Sequence, residues 1–142
     1  MEIEIPEKLI EWIKLRAKKM GINEKEFILN ILTETYEKEK EMKALLIENF
    51  KEKRVESLIR RLEIYYQDYG GAFLIGSHVP SHVKKYLLRD IEEAKNLIEP
   101  VRGDQDLEKM IKEDEEAYQS FESLKEALGR WRKVFPSIIP PL

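Results

Sequence analysis

The sequence predicts a mainly α-helical protein that opens with one short strand and two helices and continues as a helical extension or bundle. Three observations carry this expectation. Apolar residues recur at helical spacing through most of the 142 residues, the first five residues alternate instead, and glycine and proline gather in only a few places.

The strand is read over Met1 to Ile5, where Ile3 and Ile5 face one way and Glu2 and Glu4 the other. Pro6 ends it and suits the first turn of a helix, where a missing N–H costs nothing. Leu9, Ile10, Ile13, Ala17 and Met20 then repeat with helical period, and Gly21 stands where a C-terminal cap is expected. Asn23 opens a second helix, with Glu26 three positions on as in a capping box, and Phe27, Ile28, Ile31, Leu32 and Tyr36 form its apolar face. No glycine or proline interrupts the chain between Gly21 and Gly70. A break is nevertheless expected near Lys38 to Glu41 or Lys51 to Lys53, because fifty continuous helical residues would be unusual.

Gly70, Gly71, Gly76 and Pro80 mark the main irregular segment and the clearest module boundary. Beyond it a helix is expected from about Pro80 to Glu99, a turn at Pro100, Gly103 and Asp104, and further helix from about Gln105 to Val134, in one piece or two. The domain reading is a strand-helix-helix module over residues 1–40 and an α-helical region over 41–142, with a break near 70–80.

Charged residues make up 37% of the chain, against about 25% in an average domain, and 42% are apolar, which is enough for a core. Lys and Glu together number 40 against 7 Gln and Asn, the charge-rich, amide-poor usage of heat-adapted proteins. The net charge of −3 gives no global positive field, and residues 1–40, 41–99 and 100–142 are each neutral or slightly acidic. Zero cysteines exclude disulfides, thiolate metal sites and cysteine nucleophiles. The uncharged stretch from Tyr69 to His82 is too short to span a membrane, and the N-terminus lacks the layout of a signal peptide. The expected location is the cytoplasm. There is no glycine-rich phosphate loop, no nucleophile motif and no complete metal set, so neither an enzyme nor a cofactor is expected.

Residues 1–37 resemble the ribbon-helix-helix family of small bacterial and archaeal repressors and antitoxins. The features that match are Ile3 and Ile5, the helix opening Pro6-Glu7-Lys8-Leu9, the exit Lys18-Lys19-Met20-Gly21 and the second opening Asn23-Glu24-Lys25-Glu26-Phe27-Ile28. The resemblance implies an obligate homodimer, or a higher homo-oligomer, held by Ile3, Ile5, Leu9, Ile13, Phe27, Ile31 and Leu32. It also implies a two-stranded ribbon in the DNA major groove and a phosphate clamp at Asn23, Glu24 and Lys25. The function expected on this basis is a dimeric DNA-binding transcriptional regulator. Glu2 and Glu4 depart from the family pattern, since a dimer would turn four carboxylates toward a polyanion. The alternative is a non-enzymatic protein-interaction or scaffold module in which the ribbon only dimerises. DNA, another protein and a second copy are thus the partners considered, and a membrane is not.

Four further groups have a functional and a plain reading. Lys53, Arg54, Arg60 and Arg61, with Lys51 nearby, form the densest basic cluster, and the seven-residue spacing aligns Lys53 with Arg60 and Arg54 with Arg61. With Tyr65, Tyr66 and Tyr69 they could contact nucleic acid. The plain reading is a solvated face paired locally with Glu48, Glu52, Glu56 and Glu63, and tyrosines in the core with Leu58 and Leu62. His78 and His82 read as a loop and helix start, capped by Ser77 or Ser81, rather than as metal ligands. Glu113 to Glu116 read as a solvated acidic face. Trp131 shares a phase with Leu124, Leu128 and Val134 and should pack inward, and the apolar tail Phe135 to Leu142 should fold back over the helices.

Overall fold

The computed structural model describes residues 2–142, and its described residues form six helices and no strand. The predicted N-terminal strand is therefore overturned, and with it the ribbon-helix-helix-like fold. Met1 lies outside the described residues, and residues 2–6 carry no regular structure. Alternating side chains supply a face but not a ladder. A strand also needs a neighbouring extended segment with which to exchange N–H and C=O bonds, and no described segment offers one.

The helices are α1 (Glu7–Met20), α2 (Glu24–Lys51), α3 (Lys53–Leu74), α4 (Ser81–Arg102), α5 (Gln105–Glu113) and α6 (Glu115–Arg132). The long uninterrupted run breaks at Glu52, one of the two places the sequence suggested, where the backbone turns extended. None of the helices is long and apolar enough to cross a membrane. The chain divides into two compact units, one ending at Lys43 and the other spanning Ala44–Leu142.

In the second unit, α3 packs on α4 and α6, and α5 packs on the same two helices. Ile47 and Phe50 from the end of α2 join this core, with Phe50 meeting Phe121 edge-on at 5.3 Å. Trp131 is fully enclosed. Its indole N–H donates to the Leu62 carbonyl at 2.9 Å, and the rings of Tyr66, Phe73 and Phe135 surround it at 5.3 to 6.0 Å. The tail turns back after Phe135, whose carbonyl accepts from the amides of Ile138 and Ile139, and Ile139 is buried in the same core. Inward packing of Trp131 and folding back of the tail thus match the sequence reading.

Three local expectations need correction. Gly70 and Gly71 do not end α3, which continues to Leu74. Gly70 is a packing glycine: a Cβ there would come within 3.1 Å of the Tyr66 ring, so the missing side chain lets that ring lie on the helix. Pro100 does not open a turn but sits in the last turn of α4, which ends at Arg102. Neither Ser77 nor Ser81 caps α4, which begins after Pro80 with no side-chain cap, although His78 does lie in the loop and His82 in the first turn.

The acidic run Glu113 to Glu116 hides a structural residue. Asp114 is the N-cap of α6, its carboxylate accepting from the Ala117 amide at 3.1 Å, and it forms an ion pair with Lys51 at the end of α2. The hydrogen bond from Lys51, helped by the Ala117 amide, holds the Asp114 carboxyl below its ordinary value, and the same bond raises Lys51. The Asp114 contribution is complete above the ordinary aspartate value of 3.8 and is lost as pH falls through the depressed one. That of Lys51 is complete below 10.5 and is lost only as pH rises past its raised value. Asp114→Asn should therefore lower the thermal midpoint slightly at neutral pH, with the gap to the parent protein closing in acid. Melting curves across the acid range check this, and a gap that persists at the lowest pH would contradict it.

Candidate functional site

The basic cluster resolves into helix-to-helix ion pairs. Arg54 donates to Glu93, and Arg61 donates through Nε and Nη2 to the two oxygens of Asp90 at 3.1 and 3.3 Å. Both acids lie on α4, so the aligned Arg54 and Arg61 staple α3 to α4. They do not pair locally with Glu52, Glu56 or Glu63, as the plain reading had it; only Lys51 has such a partner, Glu48. Asp90 raises the Arg61 pKa through that hydrogen bond. Lys53 and Arg60 are exposed, and Arg60 lies in a shallow cleft with Glu56 and Glu63 on α3 and Gln119, Ser120 and Ser123 on α6. Tyr65 and Tyr66 pack against the core, as their phase suggested. The four basic residues therefore do not form one cationic face: two are engaged with carboxylates and a third is flanked by them.

The N-terminal unit is built differently. Gly21 adopts φ +70°, a left-handed conformation that favours glycine, and closes α1 with its amide on Lys18 and that of Ile22 on Ala17. Asn23 Oδ1 then accepts from the Glu26 amide at 2.8 Å and starts α2, the cap expected from its sequence. The result is an open helix-turn-helix hairpin, two helices joined by a three-residue turn that touch where Trp12 meets Phe27. Only Ala17 and Phe27 are buried in it, and Trp12 meets Phe27 edge-on at 5.5 Å.

Of the residues that the family resemblance placed in a dimer interface, Phe27 is buried within the hairpin and Ile13 and Ile31 are half-buried. Ile3, Ile5, Leu9 and Leu32 are exposed. Ile10, Trp12, Leu15, Met20, Leu29 and Tyr36, which the resemblance does not place in the interface, are all exposed too. Their signal lay in the number of apolar residues on two short helices, more than one hairpin seam can bury.

Asn23, Glu24 and Lys25, the predicted phosphate clamp, line an open depression together with Lys14 and Lys18 of α1. Three ammonium groups meet one carboxylate there, at the N-terminus of α2, whose dipole favours anions. Lys14 and Lys18 come from a different helix, so periodicity along α2 does not point to them. The geometry thus separates an exposed apolar surface from an open cationic depression, both on the hairpin. No family model matches the chain, and no curated protein or solved structure matches it.

Proposed function

We propose that this chain is a non-enzymatic, self-assembling interaction module in which the N-terminal hairpin joins two copies and the bundle of residues 44–142 is the body they carry. The observation that supports it most directly is the imbalance of burial in the hairpin. Burial of Phe27 contributes roughly 1.5–3 kcal/mol and that of the Ala17 methyl group only about 1 kcal/mol, while ordering each residue costs about 1–2 kcal/mol of backbone entropy. A helix the length of α1 is marginal by itself in water. Nine or more large apolar side chains on the same hairpin remain in solvent, and a second copy offers matching apolar surface. Near-neutral charge, 8 basic against 9 acidic residues over 1–40, lets two copies approach without strong repulsion.

Light scattering on the full chain tests this. A dimeric mass at micromolar concentration is expected, and the double variant Leu9→Glu/Leu32→Glu should be monomeric with its helical bundle intact by circular dichroism. A monomeric parent protein would overturn the proposal.

The lysine depression favours a second reading, a DNA-binding regulator that binds duplex phosphates through Lys14, Lys18 and Lys25. Titration of a labelled duplex against the same preparations separates the two. If these lysines neutralise phosphates, Lys14→Ala/Lys18→Ala/Lys25→Ala should flatten the dependence of log K on log salt by about 0.9 for each phosphate that is no longer neutralised. Absence of salt-dependent binding would leave the interaction module alone.

A further inference from the structure

We infer that the second copy docks antiparallel along α2, about a two-fold axis at Leu32. This rests on the self-assembly proposed above and names the surface and register of that interface.

Among the exposed apolar residues, Leu29, Leu32 and Tyr36 stand out as one stripe on one helix. They follow at i, i+3 and i+7, which places them on one face. Their exposures are 55%, 61% and 56%, although each sits mid-helix, where a stable monomer would ordinarily place polar side chains. Ile28 borders the stripe and is only half-buried. Phe27 and Ala17, by contrast, are buried, so the stripe is a second face and not the seam of the hairpin itself.

The charges around the stripe choose the occupant and its direction. Lys25 and Glu39 lie seven positions on either side of Leu32, on the same face as it. With two copies antiparallel about Leu32, Lys25 of one meets Glu39 of the other, twice. On the flanks, Glu26 falls beside Lys40 of the second copy and Glu24 beside Lys38. Every pair is of opposite sign, and Tyr36 comes to rest beside Leu29 of the second copy. A parallel arrangement would instead set Lys25 on Lys25 and Glu39 on Glu39, which is unfavourable. Within the single chain Lys38 is held by Glu34 at 3.5 Å, Glu39 by Lys43 at 3.7 Å, and Lys40 lies over the Tyr36 ring. The Lys38–Glu34 pair is exposed on both sides and exchanges at little cost, and Glu39 keeps 63% of its side chain in solvent beside the more covered Lys43. The seam from residue 25 to 39 is about 21 Å long at 1.5 Å per residue.

The chain has no cysteine, so introduced thiols report on this arrangement without background. In the full-length protein under mild oxidation, Leu32→Cys should give a disulfide-linked dimer, because the axis brings the two copies of that position together. Lys25→Cys and Glu39→Cys should each fail to cross-link alone but form a mixed dimer when combined, since a disulfide requires Cα atoms within about 7 Å. Lys25→Glu should raise the dimer dissociation constant by about tenfold, and the swap Lys25→Glu/Glu39→Lys should restore it. A parent protein that is dimeric by light scattering while Lys25→Cys links to itself, or while the Lys25→Cys and Glu39→Cys pair does not link, overturns the antiparallel α2 interface and leaves self-assembly standing. A monomeric parent overturns both.

Discussion

Replacing Trp131 by alanine is expected to lower the unfolding free energy by about 3–5 kcal/mol, the range for removing a large buried aromatic side chain. The residue is shut off from solvent, and three aromatic rings converge on it from α3 and from the turn after α6. Its removal would leave a cavity lined by Tyr66, Phe73 and Phe135 and would detach α6 from the carbonyl of Leu62. Trp131→Phe separates the two effects: it retains much of the volume but deletes the N–H donor, and should cost less, about 1–3 kcal/mol. Denaturant unfolding followed by circular dichroism measures both. A loss near 0.5 kcal/mol for Trp131→Ala, ordinary for a surface position, would mean that the indole is not the keystone its surroundings imply.

The same residue shows which parts of the fold the sequence carries openly. Leu124, Leu128 and Trp131 share a phase, and phase alone reports the inward face of α6. Asn23 and Gly21 are equally direct, because a cap is a local hydrogen bond between near neighbours. What misleads is chemistry whose meaning depends on a distant partner. Gly70 resembles a breaker until the Tyr66 ring is seen to lie where a Cβ would crowd it. Ile3 and Ile5 alternate like a strand, but the ladder that would make them one lies beyond what alternation can encode. Asp114 sits in an acidic run, and a cap could have been suspected there because Ala117, Phe121 and Leu124 begin a helical series just after it.

The candidate surface was half legible for the same reason. Leu9 and Leu32 could be singled out from periodicity, but Trp12, Leu29 and Tyr36 gain significance only when the hairpin is seen to bury so little. Lys14, Lys18 and Lys25 meet only once Gly21 has turned the chain. In the basic cluster the seven-residue spacing does report one face, while the identity of what that face meets, Glu93 and Asp90 on α4, could not follow from spacing.

That face supports the second large effect. Arg61→Ala is expected to cost about 2 kcal/mol, whereas Asp90→Asn should cost less than about 1 kcal/mol. Asp90 is the one buried charged residue among those described, and losing its guanidinium leaves a carboxylate with little water to replace it. A fully buried pair broken this way loses roughly 3–5 kcal/mol, but Arg61 keeps 46% of its side chain in solvent, and screening reduces the figure. Removing the carboxylate charge instead leaves an arginine that water can solvate, so the loss is smaller. The double variant Arg61→Met/Asp90→Leu removes both charges and should recover most of the loss of Arg61→Ala, since an apolar pair of similar volume can stand in for an ion pair. Denaturant unfolding of the four proteins measures this, and equal losses for the two single changes would contradict the burial asymmetry. Light scattering adds a functional control: if association belongs to the hairpin, Arg61→Ala weakens the bundle without changing the mass of the assembled protein.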